Sequence, residues 1–135
     1  MKFSSIVLLF AIAVILAAFA PNRAHSAEPA YVPIAIPDAN KAVEFMQAQA
    51  AARKLPLYIL VGATYCKPCH AVASLYGPTL STRGCYLHLY EDVHVAPVRR
   101  LLGTAIRLPT LIVIEGAKRR VFVGVDQIRL FVEGR

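Results

Sequence analysis

Leu57-Tyr58-Ile59-Leu60-Val61-Gly62-Ala63-Thr64-Tyr65-Cys66-Lys67-Pro68-Cys69-His70 is the stretch on which the reading of this chain turns. Its first five residues are an unbroken apolar run of strand length with β-branched and aromatic members. That composition suits a central strand covered on both faces. Gly62-Ala63-Thr64-Tyr65 leads into two cysteines three positions apart. Pro68 fits the first turn of a helix, where its missing N–H costs nothing. Val72, Leu75 and Tyr76 then mark one helical face, until Gly77-Pro78 stops or kinks it. A thiol pair at the mouth of a helix can close and reopen a small disulfide ring, or clamp a metal. With His70 it also reads as a covalent c-type haem motif.

Working outward, Asp38 is a good helix N-cap, because its carboxylate can accept from the first free amides. Ala39 to Lys54 are strong helix formers with Val43, Met46 and Ala50 on one stripe and Phe45 flanking it; Lys54-Leu55-Pro56 ends that helix. Downstream, Cys85 to Tyr90 alternates as a strand does. A short helix follows with Pro97 near its start, Val98, Leu101 and Leu102 on one side and Gly103 as its cap. Leu111 to Ile114 is a second buried strand. Glu115-Gly116-Ala117-Lys118 turns it into an antiparallel partner over Arg120–Val125. Asp126 caps a last helix ending at Val132. A short strand is expected around Val32–Ile36, in a proline-punctuated lead-in over 27–37. The order predicts an α/β chain with a central mixed sheet and helices on both faces.

The 135 residues make one domain at most, and its first part reads as a targeting segment. Lys2 precedes an apolar run from Ile6 to Ala20. Asn22-Arg23 and the small residues of Ala24-His25-Ser26-Ala27 follow, so residues 1–26 resemble a cleavable secretory signal. The apolar run is about fifteen residues, short of the roughly 20 that span a bilayer. An uncleaved anchor is the alternative, and membrane association is expected only in that case. Loss of Lys2 and Arg23 with the signal lowers the formal charge from +7 to +5. The remaining charges are scattered, with one run at Lys118-Arg119-Arg120 that reads as a solvated turn. No aromatic interleaving or nucleic-acid motif accompanies it, so a nucleic-acid partner is not expected.

Exported chains meet an oxidising compartment. Three cysteines in a core-sized domain do not make a disulfide scaffold, so the close pair reads as chemical and Cys85 as a buried strand thiol. At a helix N-terminus, unpaired amides and the dipole favour a thiolate. Cys66 is therefore the expected nucleophile, Lys67 adding positive charge, and Cys69, one turn inward, the resolving thiol. Haem on Cys66 and Cys69 with His70 ranks lower, because no distal ligand is well placed. His88 lies in a strand, His94 in a turn and Met46 in the core. Zinc held by Cys66, Cys69, Cys85 and a histidine ranks lower still, for want of a second Cys-x-x-Cys.

Strand Leu57–Val61, the pair Cys66–Cys69 at a helix start, and Ile106-Arg107-Leu108-Pro109-Thr110-Leu111 together resemble the thioredoxin superfamily. Pro109 follows Cys69 by 40 residues, and Gly116 and Gly124 fall where that family's terminal hairpin has glycines. The resemblance covers roughly Asp38 to Val132. It implies a thioredoxin-like three-layer sandwich over 38–135 and a thiol–disulfide oxidoreductase that exchanges disulfides with protein partners. Such a protein needs no cofactor beyond the Cys66–Cys69 disulfide, and a monomer is expected. It further implies a cis bond before Pro109, with Leu108 presenting backbone to the substrate chain. From the residues themselves, Lys67, Pro68 and Tyr65 are expected to tune the pair, and His70 is an exposed first-turn residue whose tuning of the thiols is the lesser alternative. Two departures stand out. The family's buried aspartate falls at Leu60, and Tyr65 replaces the tryptophan before the first cysteine. A redox-inactive binding module with a structural disulfide is the runner-up.

Overall fold

The computed structural model describes residues 38–134; the targeting segment, the lead-in and the strand expected near Val32–Ile36 lie outside them. Helix α1 (Ala39–Arg53) begins where Asp38 Oδ1 accepts from the amides of Asn40 (2.9 Å) and Lys41 (3.3 Å). It ends at Lys54, which takes a left-handed conformation (φ 54°) so that its amide returns to the last turn. Strand β1 (Leu57–Gly62) follows, buried along its whole length. Then come α2 (Lys67–Arg83), β2 (Cys85–Tyr90), α3 (Val95–Leu102), β3 (Thr110–Glu115), β4 (Lys118–Val123) and α4 (Val125–Glu133).

Among the described residues the strands form one sheet in the order β2-β1-β3-β4. β1 runs parallel to β2 and antiparallel to β3, and β3 pairs antiparallel with β4. Because successive strand residues point to opposite faces, β1 and β2 each divide into two sets. Leu57, Ile59, Val61, Cys85, Leu87 and Leu89 pack with Val43, Met46 and Ala50 of α1 and Val98 of α3. Tyr58, Leu60 and Tyr86 pack on the other side with Val72, Tyr76 and Leu80 of α2 and Ile128 and Val132 of α4. The result is the expected three-layer α/β sandwich.

The structure corrects the sequence reading in four places. Of the two outcomes expected at Gly77-Pro78, a stop is overturned: α2 continues to Arg83 with Pro78 inside it. The lost backbone bond there is outweighed by burial on either side, with Tyr76 and Leu80 both against the sheet. Leu75 is not on that face and is exposed; the buried stripe is Cys69, Val72, Tyr76 and Leu80. Lys118-Arg119-Arg120 is the start of β4 rather than a turn. Arg120 pairs there with Glu115 (2.9 Å) and lies over the rings of Phe122 and Phe131. β4 ends at Val123, so Gly124 (φ 85°) and not Asp126 sits at the N-cap of α4. Asp126 instead lies in the first turn and pairs with Arg129 (3.1 Å).

Candidate active site

The C-terminal end of β1 delivers the chain directly to the thiol pair. Cys66 is the N-cap of α2, in extended backbone, with Lys67 as the first helical residue and Pro68 in the first turn. Its Sγ accepts from the Cys69 amide at 3.3 Å, and its carbonyl accepts from the amides of Cys69 (3.1 Å) and His70 (3.2 Å). The sulfur thus lies at the positive end of the helix, where an anion is favoured. Cys66 and Cys69 are joined by a disulfide across a Cα separation of 5.3 Å. Cys66 is partly exposed whereas Cys69 is fully buried, so a partner can reach only the first sulfur.

The loop before Cys66 is held from the far end of β2. The Thr64 amide donates to Asp92 Oδ1 at 2.9 Å and its hydroxyl donates to Oδ2 of the same carboxylate. These bonds hold the Asp92 carboxyl below the usual carboxylate range. His70 Nε2 lies 2.9 Å from the Thr64 carbonyl oxygen. Tyr65, 70% exposed and next to Cys66 in the chain, donates its hydroxyl to Glu91 at 2.5 Å. That bond raises the phenol above its ordinary value, because the charged acceptor favours the protonated ring. Glu91 and Asp92 went unnoticed in the sequence. Both follow a strand end closely, and nothing in their spacing reports that β2 ends beside the cysteine loop.

Leu108 and Pro109 reach the same end of the sheet, since Thr110 is the register partner of Val61. Their peptide bond is cis. Thr110 Oγ1 donates back to the Arg107 carbonyl (2.5 Å), and the Pro109 carbonyl accepts from the Gly124 amide (2.8 Å), so the turn is tied at both sides. Leu108 is partly buried and packs on the α1 side of the sheet.

Cys85 stands apart. It pairs in register with Leu57, at the start of β1, whereas Cys66 follows the end of that strand. The five steps from Leu57 to Gly62, roughly 17 Å, separate the two ends. Cys85 is a free, buried thiol whose burial raises its pKa above the ordinary value. It cannot join Cys66, Cys69 and a histidine around one zinc ion.

One histidine of the cluster beside the pair was read in the sequence only as a poorly placed haem ligand. His88 is the register partner of Leu60 and faces α2. Its ring lies 4.4 Å from that of Tyr90, which in turn lies 6.0 Å from His70 and 6.2 Å from His94. Burial first, then the charges of His70 and His94, push His88 down to about 4. The signal was present in the alternation of β2: Cys85, Leu87 and Leu89 form an apolar set, and Tyr86, His88 and Tyr90 a polar-aromatic one.

No protein-family model and no curated protein matches this chain. Solved structures do. The germline-specific thioredoxin Deadhead of Drosophila melanogaster superposes with a TM-score of 0.51 at 18% identity, over 69% of this chain and 90% of the other. Schistosoma mansoni thioredoxin gives 0.53 at 19%, over 67% and 86%. A chain from the complex of ferredoxin:thioredoxin reductase with thioredoxin f2 gives 0.56 at 15%, over 72% and 86%. With the Cys-Lys-Pro-Cys disulfide at the head of α2, these likenesses establish that the fold of this chain is that of the thioredoxin superfamily.

Proposed function

We propose that this protein is an exported thiol–disulfide oxidoreductase that exchanges disulfides with protein partners through Cys66 and Cys69. The observation that carries the reading is the asymmetry of the pair. One sulfur is partly exposed at a helix N-cap, and the other is fully buried one turn inward. Attack needs a thiolate within reach of a partner, which is the situation of Cys66. The Cys66–partner disulfide is then resolved by Cys69, whose sulfur is already within bonding reach. The reaction needs no dissociable cofactor. Leu108 and the cis Pro109, at the same sheet end, are the proposed rest for the partner chain, and Tyr65 and Lys67 the exposed rim around the sulfur. Export is proposed from the sequence of residues 1–26. No helix among the described residues is long and apolar enough to cross a membrane.

One experiment tests the reading. The full chain is expressed, the cells are fractionated, and insulin reduction by dithiothreitol is followed with the protein recovered outside the cytoplasm. The protein is expected there, and to accelerate reduction; Cys66→Ser is expected to abolish the acceleration. Equal rates for the two proteins would defeat the oxidoreductase reading, and recovery in the cytoplasm would defeat export.

A further inference from the structure

Resolution of a mixed disulfide requires the second thiol to lose its proton, and Cys69 is fully buried. A thiolate formed out of water is disfavoured unless a neighbouring group takes the proton. The position that the resemblance assigns to the family's aspartate holds Leu60, a fully buried hydrocarbon with no capacity for that task. On the adjacent strand, directly beside Leu60 in the parallel register, stands His88.

The geometry around Gly62 brings His88 and Cys69 to one point. A Cβ placed on Gly62 would lie 2.9 Å from Cys69 Cβ, 3.5 Å from Cys69 Sγ and 3.3 Å from His88 Nε2. Glycine leaves that space open between imidazole and sulfur; any larger residue would fill it. His88 Nε2 is buried and has no hydrogen-bond partner among the described residues. Leaving a buried ring nitrogen unpaired costs on the order of 1–3 kcal/mol, a cost that a purely structural residue would not be expected to carry. His88 also lines a cleft of about 480 Å³ between α2 and β2, together with His70, Ser74, Gly77, Tyr86 and Tyr90. That cleft connects the imidazole to solvent.

We infer that His88 is the proton acceptor for Cys69 in the resolving step. This rests on the oxidoreductase reading above. Neutral His88 takes the proton from the Cys69 thiol and becomes an imidazolium. The Cys69 thiolate attacks Cys66 Sγ, the Cys66–partner S–S bond breaks, and the Cys66–Cys69 bond forms. The partner sulfur leaves as a thiolate and is protonated from solvent, and His88 releases its proton through the cleft. The partner disulfide gains two electrons and the Cys66–Cys69 dithiol loses them. In the reverse direction the imidazolium protonates the departing Cys69. Burial and the charges of His70 and His94 favour the neutral, accepting form of His88 at neutral pH, and several groups face its ring. From α2 these are His70 and Cys69, from its own strand Tyr86 and Tyr90, and from the head of α3 His94; β1 offers Leu60 and Gly62.

Stopped-flow reaction of the reduced protein with dithiobis(nitrobenzoate) separates the two steps. Attack by Cys66 releases one coloured thiolate at a rate that depends on reagent concentration. Resolution by Cys69 releases the second at a rate that does not. In His88→Leu and His88→Gln the first phase is expected to persist and the second to slow by roughly a hundredfold at neutral pH. The second phase should recover in alkaline solution, where hydroxide removes the proton. The wild-type second phase is expected to fall on acidification with an inflection that both variants lack. An unchanged second phase in His88→Gln would overturn the inference, because glutamine replaces the ring's hydrogen bonding without accepting a proton. That variant decides the matter even where His88→Leu does not fold. Absence of both phases in the wild type would overturn the oxidoreductase reading itself, a different result from loss of the second phase alone.

Discussion

The two faces of the sheet are built from the same strands and do different work. Under α1 and α3 the packing is hydrocarbon and one thiol: Met46, Leu57, Ile59, Leu87 and Leu89 around Cys85. Under α2 and α4 the strands present Tyr58, Tyr86, His88 and Tyr90 among the aliphatic residues, and a cleft reaches between helix and strand. A thiol on the first face is sealed, with its pKa raised by burial. The thiols at the head of α2 border the second face, with helix amides on one side and an imidazole on the other. On the proposed function, the chain separates a face that stabilises from a face that handles charge, and a cysteine's chemistry follows from which one it occupies.

The largest effect that could break this comparison lies in the cysteines. Cys85→Ala is expected to leave the rate of insulin reduction unchanged, while Cys66→Ser removes it; a loss of rate in Cys85→Ala would place chemistry on the sealed face. Next in size is a stability effect. Leu87→Ala opens space in the hydrocarbon layer and is expected to cost about 2–5 kcal/mol in urea unfolding. Its exchange kinetics under folding conditions should match wild type. A variant as stable as wild type would show that this layer is not the stabilising one.

The smallest effect sharpens the other face. His88 holds its folded pKa near 4, against an ordinary value of 6.5. Between those values the unfolded chain binds the proton and the folded chain does not, so unfolding takes up protons. Stability is therefore complete above pH 6.5 and declines as pH falls towards 4. His94, lowered chiefly by burial, contributes in the same direction. Urea midpoints measured from pH 7 to pH 4.5 should fall for the wild type and fall less for His88→Gln. Identical slopes would mean that the ring is not buried neutral.

Much of this arrangement was legible in the sequence, and the parts that were not share a physical cause. Strand β1 and the thiol pair could be read locally, because burial on both faces forces a continuous apolar run and an N-cap tolerates few geometries. Asp38 and Gly103 likewise report helix ends through their own chemistry. Pro78 misled because a local breaker was overruled by tertiary burial of Tyr76 and Leu80. Asp126 misled because Gly124, with its positive φ, had already turned the chain into α4. His88, Glu91 and Asp92 matter through neighbours distant in sequence, across a parallel pairing that no local pattern encodes. Once β2 is set beside β1, the alternation Tyr86, His88, Tyr90 states which face they share.

On the proposed function, Cys66 and Cys69 form a working redox couple rather than a structural staple. Its most direct test is the reduction potential of that couple, read by acid-quenched thiol trapping after equilibration in graded glutathione and dithiothreitol buffers. A working couple is expected between about −120 and −270 mV, the range of proteins that exchange disulfides. A value below about −300 mV, typical of structural disulfides, would contradict it.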